Sequence, residues 1–303
     1  MSSMSLTFLP LLWMPNGASA PIAEQAWPDW PGSMEVFWSD DNIQLFFFFA
    51  ESNGTSDIVS NAIRDHKSWE NADVAAVIRV LVEYADTRNI DKSEIFFLDI
   101  GANIGTFTFA VAAAGFRVIA IEAMRVNQLA LRMSLCANPG LMGQITIFDV
   151  ALGESAQDCA IYTDPNNILN GNVACNGEVF PGVAKRQNLR ILPLDHIMQS
   201  WIGQTCSPIG ALKIDTEGFE PHIFKGGSGF FKSTMPSFIL AEANNAALVT
   251  TSNMSGLEYA KQVVDLGYDM LQNDFLSPRA SPVDINNKDY GLTNLYFARQ
   301  NAS

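Results

Sequence analysis

The chain has 303 residues and a formal net charge of −14, with 48% hydrophobic and 17% charged residues. That composition fills a buried core and excludes global disorder; the length suits one large α/β domain with an appendage, or two small domains. An acidic surface without a Lys/Arg cluster repels a phosphate backbone, so no nucleic acid partner is expected.

The first 35 residues, rich in Pro, Trp and small side chains, read as an irregular arm. An apolar run at 6–14 and the triplet Ala18-Ser19-Ala20 look leader-like. However, no Lys or Arg precedes them and Pro10 interrupts the run, which is far shorter than the ~20 residues a membrane helix needs. No membrane span is expected, and a soluble, cytoplasmic protein is favoured over a secreted one. Residues 36–38 and 43–50 predict two strands joined by turn residues at 39–42, hence a hairpin. Helices follow at 56–64 and 72–84, the second with Val74, Val77, Ile78, Leu81 and Val82 at a 3.6-residue period. This N-terminal part is taken as residues 1–90, and the principal domain as 91–303.

From residue 95 the pattern alternates. Short apolar strands, most ending in an acid, are predicted at 95–99, 118–122, 145–148, 211–215 and 238–242. Helices are predicted at 106–114, 125–137, 221–231 and 257–266, and two late strands at 268–271 and 292–298. Apolar strands separated by helices predict a mostly parallel sheet with helices on both faces. The Asn-, Gly- and Pro-rich stretch 153–200 interrupts the alternation. It is expected to be an inserted hairpin region that shapes an acceptor pocket rather than the core. Cys136, Cys159, Cys175 and Cys206 show neither CxxC nor zinc spacing and are expected as free thiols.

The stretch Asp99-Ile100-Gly101-Ala102-Asn103-Ile104-Gly105 closes a strand and opens a helix. Glycine allows close backbone approach to a ligand. A dinucleotide needs G-x-G-x-x-G, and G-A-N-I-G breaks that fingerprint. S-adenosylmethionine (SAM) carries no phosphate and needs an acid near its ammonium, a role that suits Asp99. Glu122, at the end of the next strand, stands where an acid bonds ribose hydroxyls. Asp149, after the third strand, is a candidate for the adenine edge.

These residues resemble the FkbM family of methyltransferases. The resemblance runs from 98–105 with Phe107-Thr108, through Val150-Ala151-Leu152-Gly153 and Leu194-Asp195, to Lys213-Ile214-Asp215-Thr216-Glu217-Gly218-Phe219-Glu220, similar to that family's K-x-D-x-E-G-x-E element. Lys225-Gly226 and the strand ending at Glu242 follow. Ala123 stands where the family usually has Pro. The resemblance implies a class I, Rossmann-like methyltransferase fold, SAM as cofactor, and O-methylation of a hydroxyl on a sugar or small natural product. It also brings in Trp69-Glu70, whose acid is a candidate for the cofactor's amino-acid end.

Asp215 and Glu217, at the carboxyl end of the fourth strand, are the leading catalytic candidates, with His222 and His66 behind them. Their oxygens would suit magnesium, but no metal is expected. A nicotinamide-dependent oxidoreductase and a catalytically silent SAM-binding protein stand as alternatives.

Overall fold

Strand β3 (Phe96–Ile100) reads FFLDI and is buried along its whole length. Its alternate side chains enter two different cores. Phe96, Leu98 and Ile100 join one hydrophobic cluster, and Phe97 joins the other. The neighbouring strand β4 (Arg117–Glu122) divides the same way, Ile119 and Ile121 to the first, Val118 and Ala120 to the second. A period of two with apolar residues in both phases is what a strand covered on both faces requires.

In this computed structural model the described residues are 32–38, 44–50, 59, 62–63, 69–164, 167–175, 177, 182–202, 207–271, 275, 284–287 and 290–300. The arm before residue 32, the 39–42 turn, His66, Cys206 and most of the expected helix 56–64 lie outside them. Strands β1 (Gly32–Trp38) and β2 (Gln44–Ala50) pair antiparallel, the register joining Trp38 to Gln44.

Among the described residues the central sheet has seven strands. Beyond β3 and β4 these are β5 (Ile145–Asp149), β10 (Ile209–Ile214), β11 (Phe238–Asn244), β12 (Tyr268–Leu271) and β13 (Leu292–Arg299). Their order is β12-β13-β11-β10-β3-β4-β5. The β3, β4, β5, β10 and β11 pairings are parallel, while β13 runs antiparallel to both β11 and β12. The order reverses between β3 and β10, and open α/β sheets bind ligands at such a switch point, beyond the carboxyl ends of the strands.

Helix α1 (Asn71–Arg88) buries Val77, Val80 and Leu81 in the cluster that also contains Phe97 and Val118. Helices α2 (Thr106–Ala113) and α3 (Arg125–Ala137) follow β3 and β4. The helix expected at 221–231 is two helices, α5 (Glu220–Gly226) and α6 (Ser228–Ser233). The break has a packing reason: a Cβ on Gly226 would meet the Gly153 carbonyl oxygen at 1.9 Å. Asp195 then caps the second piece, accepting N–H from Gly229 at 2.9 Å and Phe230 at 2.7 Å. Asp195 belongs to helix α4 (Leu194–Ile202), which sequence reasoning missed, as it missed α7 (Asn245–Ser252). Helix α8 (Gly256–Val264) starts on a Ser255/Glu258 capping box.

The insert forms its own sheet from β6 (Ala151–Leu152), β7 (Gln157–Asp164), β8 (Asn167–Cys175) and β9 (Ala184–Leu192), ordered β6-β9-β7-β8. Two expectations are corrected here. The insert is not held apart from the core, because Cys159, Cys175 and Ile191 are buried with Ile100 and Leu212. Nor are all the cysteines free thiols: Cys159 and Cys175 face each other across the β7–β8 ladder and form a disulfide, while Cys136 is free and exposed. No helix among the described residues is long and apolar enough to cross a membrane.

Candidate functional site

A cleft of about 1000 Å³, open mouth included, lies over the switch point. Its floor is the 101–105 loop. The N–H groups of Gly101 and Ala102 both donate to the Ile121 carbonyl, at 2.9 and 3.1 Å, which fastens the loop to β4. Gly101 adopts φ 78° and Gly105 φ 99°, the latter as the N-cap of α2. Asn103 between them also takes a left-handed conformation, φ 52°, and its Oδ1 is buried without a hydrogen-bond partner among the described residues.

Glu122 clamps this loop. Its Oε2 accepts the Asn103 N–H at 2.8 Å and its Oε1 the Met124 N–H at 2.7 Å. The side chain lines the cleft yet is only 5% exposed, and burial pushes its carboxyl up to about 7 against the pull of those two N–H donors. Asn127 hydrogen-bonds the same carboxylate, which leaves one of its four lone-pair sites for a ligand hydroxyl.

The opposite wall comes from the segment after β10. Lys213 is the one charged residue in that apolar strand, and its Nζ lies 3.1 Å from both the Gly101 carbonyl and Asp215 Oδ2. Burial alone would lower its pKa, but Asp215, Asp99 and Glu70 outweigh it and hold the ammonium charged. Glu217, in a left-handed conformation at φ 56°, has its carboxyl pushed up to about 8 by burial, then by Asp215 and Glu220. Glu242 on β11 is raised further, to about 10, by burial and the same acidic neighbours. Glu70 lines the cleft from the start of α1, also left-handed at φ 51°, and burial raises its carboxyl while Lys213 opposes. Non-glycine residues in this region cost of order 1–3 kcal/mol each, and such strain concentrates at functional sites; Glu70, Asn103 and Glu217 all line this cleft.

The cleft therefore brings together Glu70, Gly101, Asn103, Glu122, Asp215 and Glu217 among the residues singled out from sequence. Gly105 sits one step back, with a Cβ there meeting Leu131 and Phe109 at 2.7 Å. Three other residues are placed differently. Asp99 is fully buried beneath the loop, its Oδ2 accepting from the Thr108 hydroxyl at 2.6 Å, and it does not line the cleft. Asp149 ends the edge strand with its side chain outward, ion-paired to Arg132 at 2.5 Å. His222 packs against Phe219 in a tilted arrangement with ring centroids 4.6 Å apart and lies 3.8 Å from Glu154, away from the lining; burial and Lys225 lower its pKa. His66 lies outside the described residues.

Sequence reasoning left out Lys213, Glu220, Glu242 and Asn127. Lys213 and Glu242 carried a readable sign, being charged residues within apolar strands. Asn127 is 1% exposed and lines the cleft from α3, but nothing in its local sequence marks it.

The sheet order, the glycine loop at the switch point and the acid on the second strand define a class I, Rossmann-like methyltransferase. Residues 99–254 match the methyltransferase FkbM domain, and the chain belongs to that family of SAM-dependent methyltransferases. That membership favours methyl transfer over the nicotinamide alternative. Among solved structures, the chain is similar to methyltransferase FkbM from Methylobacillus flagellatus KT. Identity is 15% and the TM-score 0.41, over 82% of this chain and 63% of that one. It thus spans less than two thirds of that relative. It is also similar to the O-methyltransferase TomG from Streptomyces achromogenes, involved in tomaymycin synthesis and solved in complex with SAM. There the figures are 12% identity and TM-score 0.40, over 80% of this chain and 87% of that one. No curated protein matches the chain.

Proposed function

We propose that this chain transfers the methyl group of SAM to a hydroxyl of a small molecule, a sugar or natural product. The observation that carries this reading is that the 101–105 loop and the Asp215–Glu217 segment face one cleft, joined through Lys213. The residues present suit SAM. The 101–105 loop presents its backbone at the cleft floor, a buried Asn103 oxygen awaits a donor, and the Glu122 carboxylate keeps a lone pair for a ribose hydroxyl. Glu70 supplies a carboxylate for the cofactor's ammonium. When bound, SAM supplies an electrophilic methyl on sulfur.

The chain's own residues then have three tasks. The cleft walls hold acceptor and cofactor in line and exclude water. Asp215, fixed by Lys213, orients the acceptor hydroxyl. Glu217 accepts its proton; a carboxyl lifted to about 8 is a stronger base than an ordinary one and sits near the working pH. The net charge of −14 supports a small-molecule acceptor over nucleic acid.

The test uses isotopically methyl-labelled SAM with a panel of sugars and hydroxylated natural products. Glu217→Gln is expected to lower turnover about 10²–10⁴-fold while S-adenosylhomocysteine affinity stays within a few-fold. Near-normal turnover in Glu217→Gln removes it as the base. Labelled methyl found on nitrogen or carbon of the product rather than on oxygen overturns the acceptor class.

A further inference from the structure

We propose that Asp215, Glu220 and Glu242 form a binding site for a divalent cation. The three side chains come from different elements, the loop after β10, the first turn of α5 and strand β11. One carboxylate oxygen from each lies within 4.8 Å of the others. Hard divalent cations hold oxygen ligands at roughly 2.0–2.6 Å, so opposite ligands of one ion stand about 4–5 Å apart. These oxygens already occupy the span that a shared ion requires.

Glu220 supplies a second, independent observation. It is only 1% exposed, and its Oε1 is fully engaged, accepting from Thr216 N–H at 2.6 Å, the Thr216 hydroxyl at 3.1 Å and Gly218 N–H at 3.2 Å. Those bonds fix the carboxyl rigidly. Its Oε2 is buried and has no hydrogen-bond partner among the described residues. Glu242 Oε2 is likewise buried and unpartnered. Leaving a buried carboxylate oxygen unpaired is costly, and here two such oxygens belong to the same small group.

Charge points the same way. Lys213 occupies Asp215 Oδ2 and offsets one of the three carboxylates. A divalent ion offsets the remaining two. The ligand set is all oxygen, without imidazole or thiolate, which selects magnesium, manganese or calcium over zinc or copper. Sequence reasoning allows magnesium only on Asp215 and Glu217 and does not expect it; Asp215, Glu220 and Glu242 meet only when β10, α5 and β11 pack together. The ordinary alternative is that Glu220 and Glu242 share a proton, in which case the group holds no ion.

The experiment titrates the full chain, stripped with EDTA, with MnCl₂ in the absence of cofactor and acceptor. Free Mn²⁺ is read by its room-temperature EPR signal. A single saturable site is expected, from which Mg²⁺ or Ca²⁺ displaces Mn²⁺. Glu242→Gln and Glu220→Gln should each weaken Mn²⁺ binding by at least about 10–100-fold, the loss already seen when only a ligand's supporting partner is removed. Thermal unfolding establishes that each variant is folded; if Glu220→Gln is not, Glu242→Gln and Asp215→Asn decide. Wild-type protein without saturable Mn²⁺ binding, or folded variants that bind as well as wild type, overturns the site. Because neither SAM nor acceptor is present, a negative result here leaves the methyl-transfer reading standing, and failure of that reading leaves this one standing.

Discussion

A Cβ placed on Gly101 would lie 1.8 Å from the carbonyl oxygen of Asp215. The 101–105 loop and the acidic segment are therefore in backbone contact, with no room for any side chain between them. Because φ at Gly101 is also 78°, the position excludes every other residue twice over. Gly101→Ala is expected to push these two loops apart and reduce S-adenosylhomocysteine affinity at least about tenfold, the consequence of losing ~1.4 kcal/mol or more of binding. Gly140→Ala, where a Cβ meets nothing within 4 Å and φ is ordinary, is the control. Calorimetric titration of both reads the result, and equal affinities would show that the loop tolerates displacement.

Glu122 joins two loops as well as facing the cleft, so its removal has two separable effects. Glu122→Ala leaves the Asn103 and Met124 N–H groups without their carboxylate and is expected to lower stability. It is also expected to weaken SAM binding by about 1–3 kcal/mol. Comparing unfolding midpoints with and without saturating S-adenosylhomocysteine separates the two. If the ligand-induced shift matches wild type, Glu122 serves the fold alone.

Much of the architecture is legible in the residues themselves. Strands such as Phe96–Ile100 and Ile209–Ile214 are short, apolar and flanked by turns, and Thr106–Ala113 starts at a glycine N-cap, so local rules agree with the packed result. The disagreements arise where a distant contact decides. The helix break at Gly226 and Gly227 exists because Gly153 and Asp195 come against it from far along the chain. Asp99 ends a strand beside the loop, as a ligand group would, but it pairs with Ala120, a row deeper in the sheet, and its side chain meets Thr108 beneath the loop. Glu122, one strand over and on the same face of the sheet, lies two residues nearer the carboxyl edge than Asp99's partner Ala120 and so reaches the cleft. The two acids have the same local sequence character, and only the three-dimensional register separates them.

The buried carboxyls make stability depend on pH in an unusual direction. Glu122 and Glu220 are raised to about 7, Glu217 to about 8 and Glu242 to about 10, each above the ordinary 4.5 because burial disfavours the charged form. The folded state therefore keeps protons that the unfolded chain releases, and stability falls as pH rises from about 4.5 through these values. For EDTA-treated, ligand-free protein, the unfolding midpoint is expected to drop between pH 6 and 9. Glu242→Gln is expected to flatten that slope and to be more stable than wild type at the alkaline end. A midpoint that stays constant or rises across the range contradicts these carboxyl environments.

The Cys159–Cys175 disulfide closes a loop with a sequence separation of 16, for which chain-entropy arguments give about 3 kcal/mol of stabilisation. Its strands carry Ile161, Asn170, Gly171 and Val173 to the cleft wall, and Asn170 Oδ1 lies 3.5 Å from Asn103 Nδ2. Cys159→Ala/Cys175→Ala is expected to lose stability on that scale and to bind S-adenosylhomocysteine more weakly. Denaturant unfolding and calorimetry check the two effects. A variant as stable as wild type would mean that the β7–β8 ladder holds without the bond.

Strand β13 is the last described strand along the chain, yet it lies between β11 and β12. During synthesis, β11 leaves the ribosome with an open edge, and β12 emerges with no neighbour to pair with. The sheet cannot seal until residues 292–299 arrive to fill the gap between them. A nascent chain halted near residue 290 would expose the flank of a strand reading Phe-Ile-Leu-Ala. Exposed apolar edges of this kind recruit strands from other chains. Translation pauses or premature termination before residue 292 should thus yield aggregates, and the growing polypeptide has reason to need chaperone cover until β13 has been made.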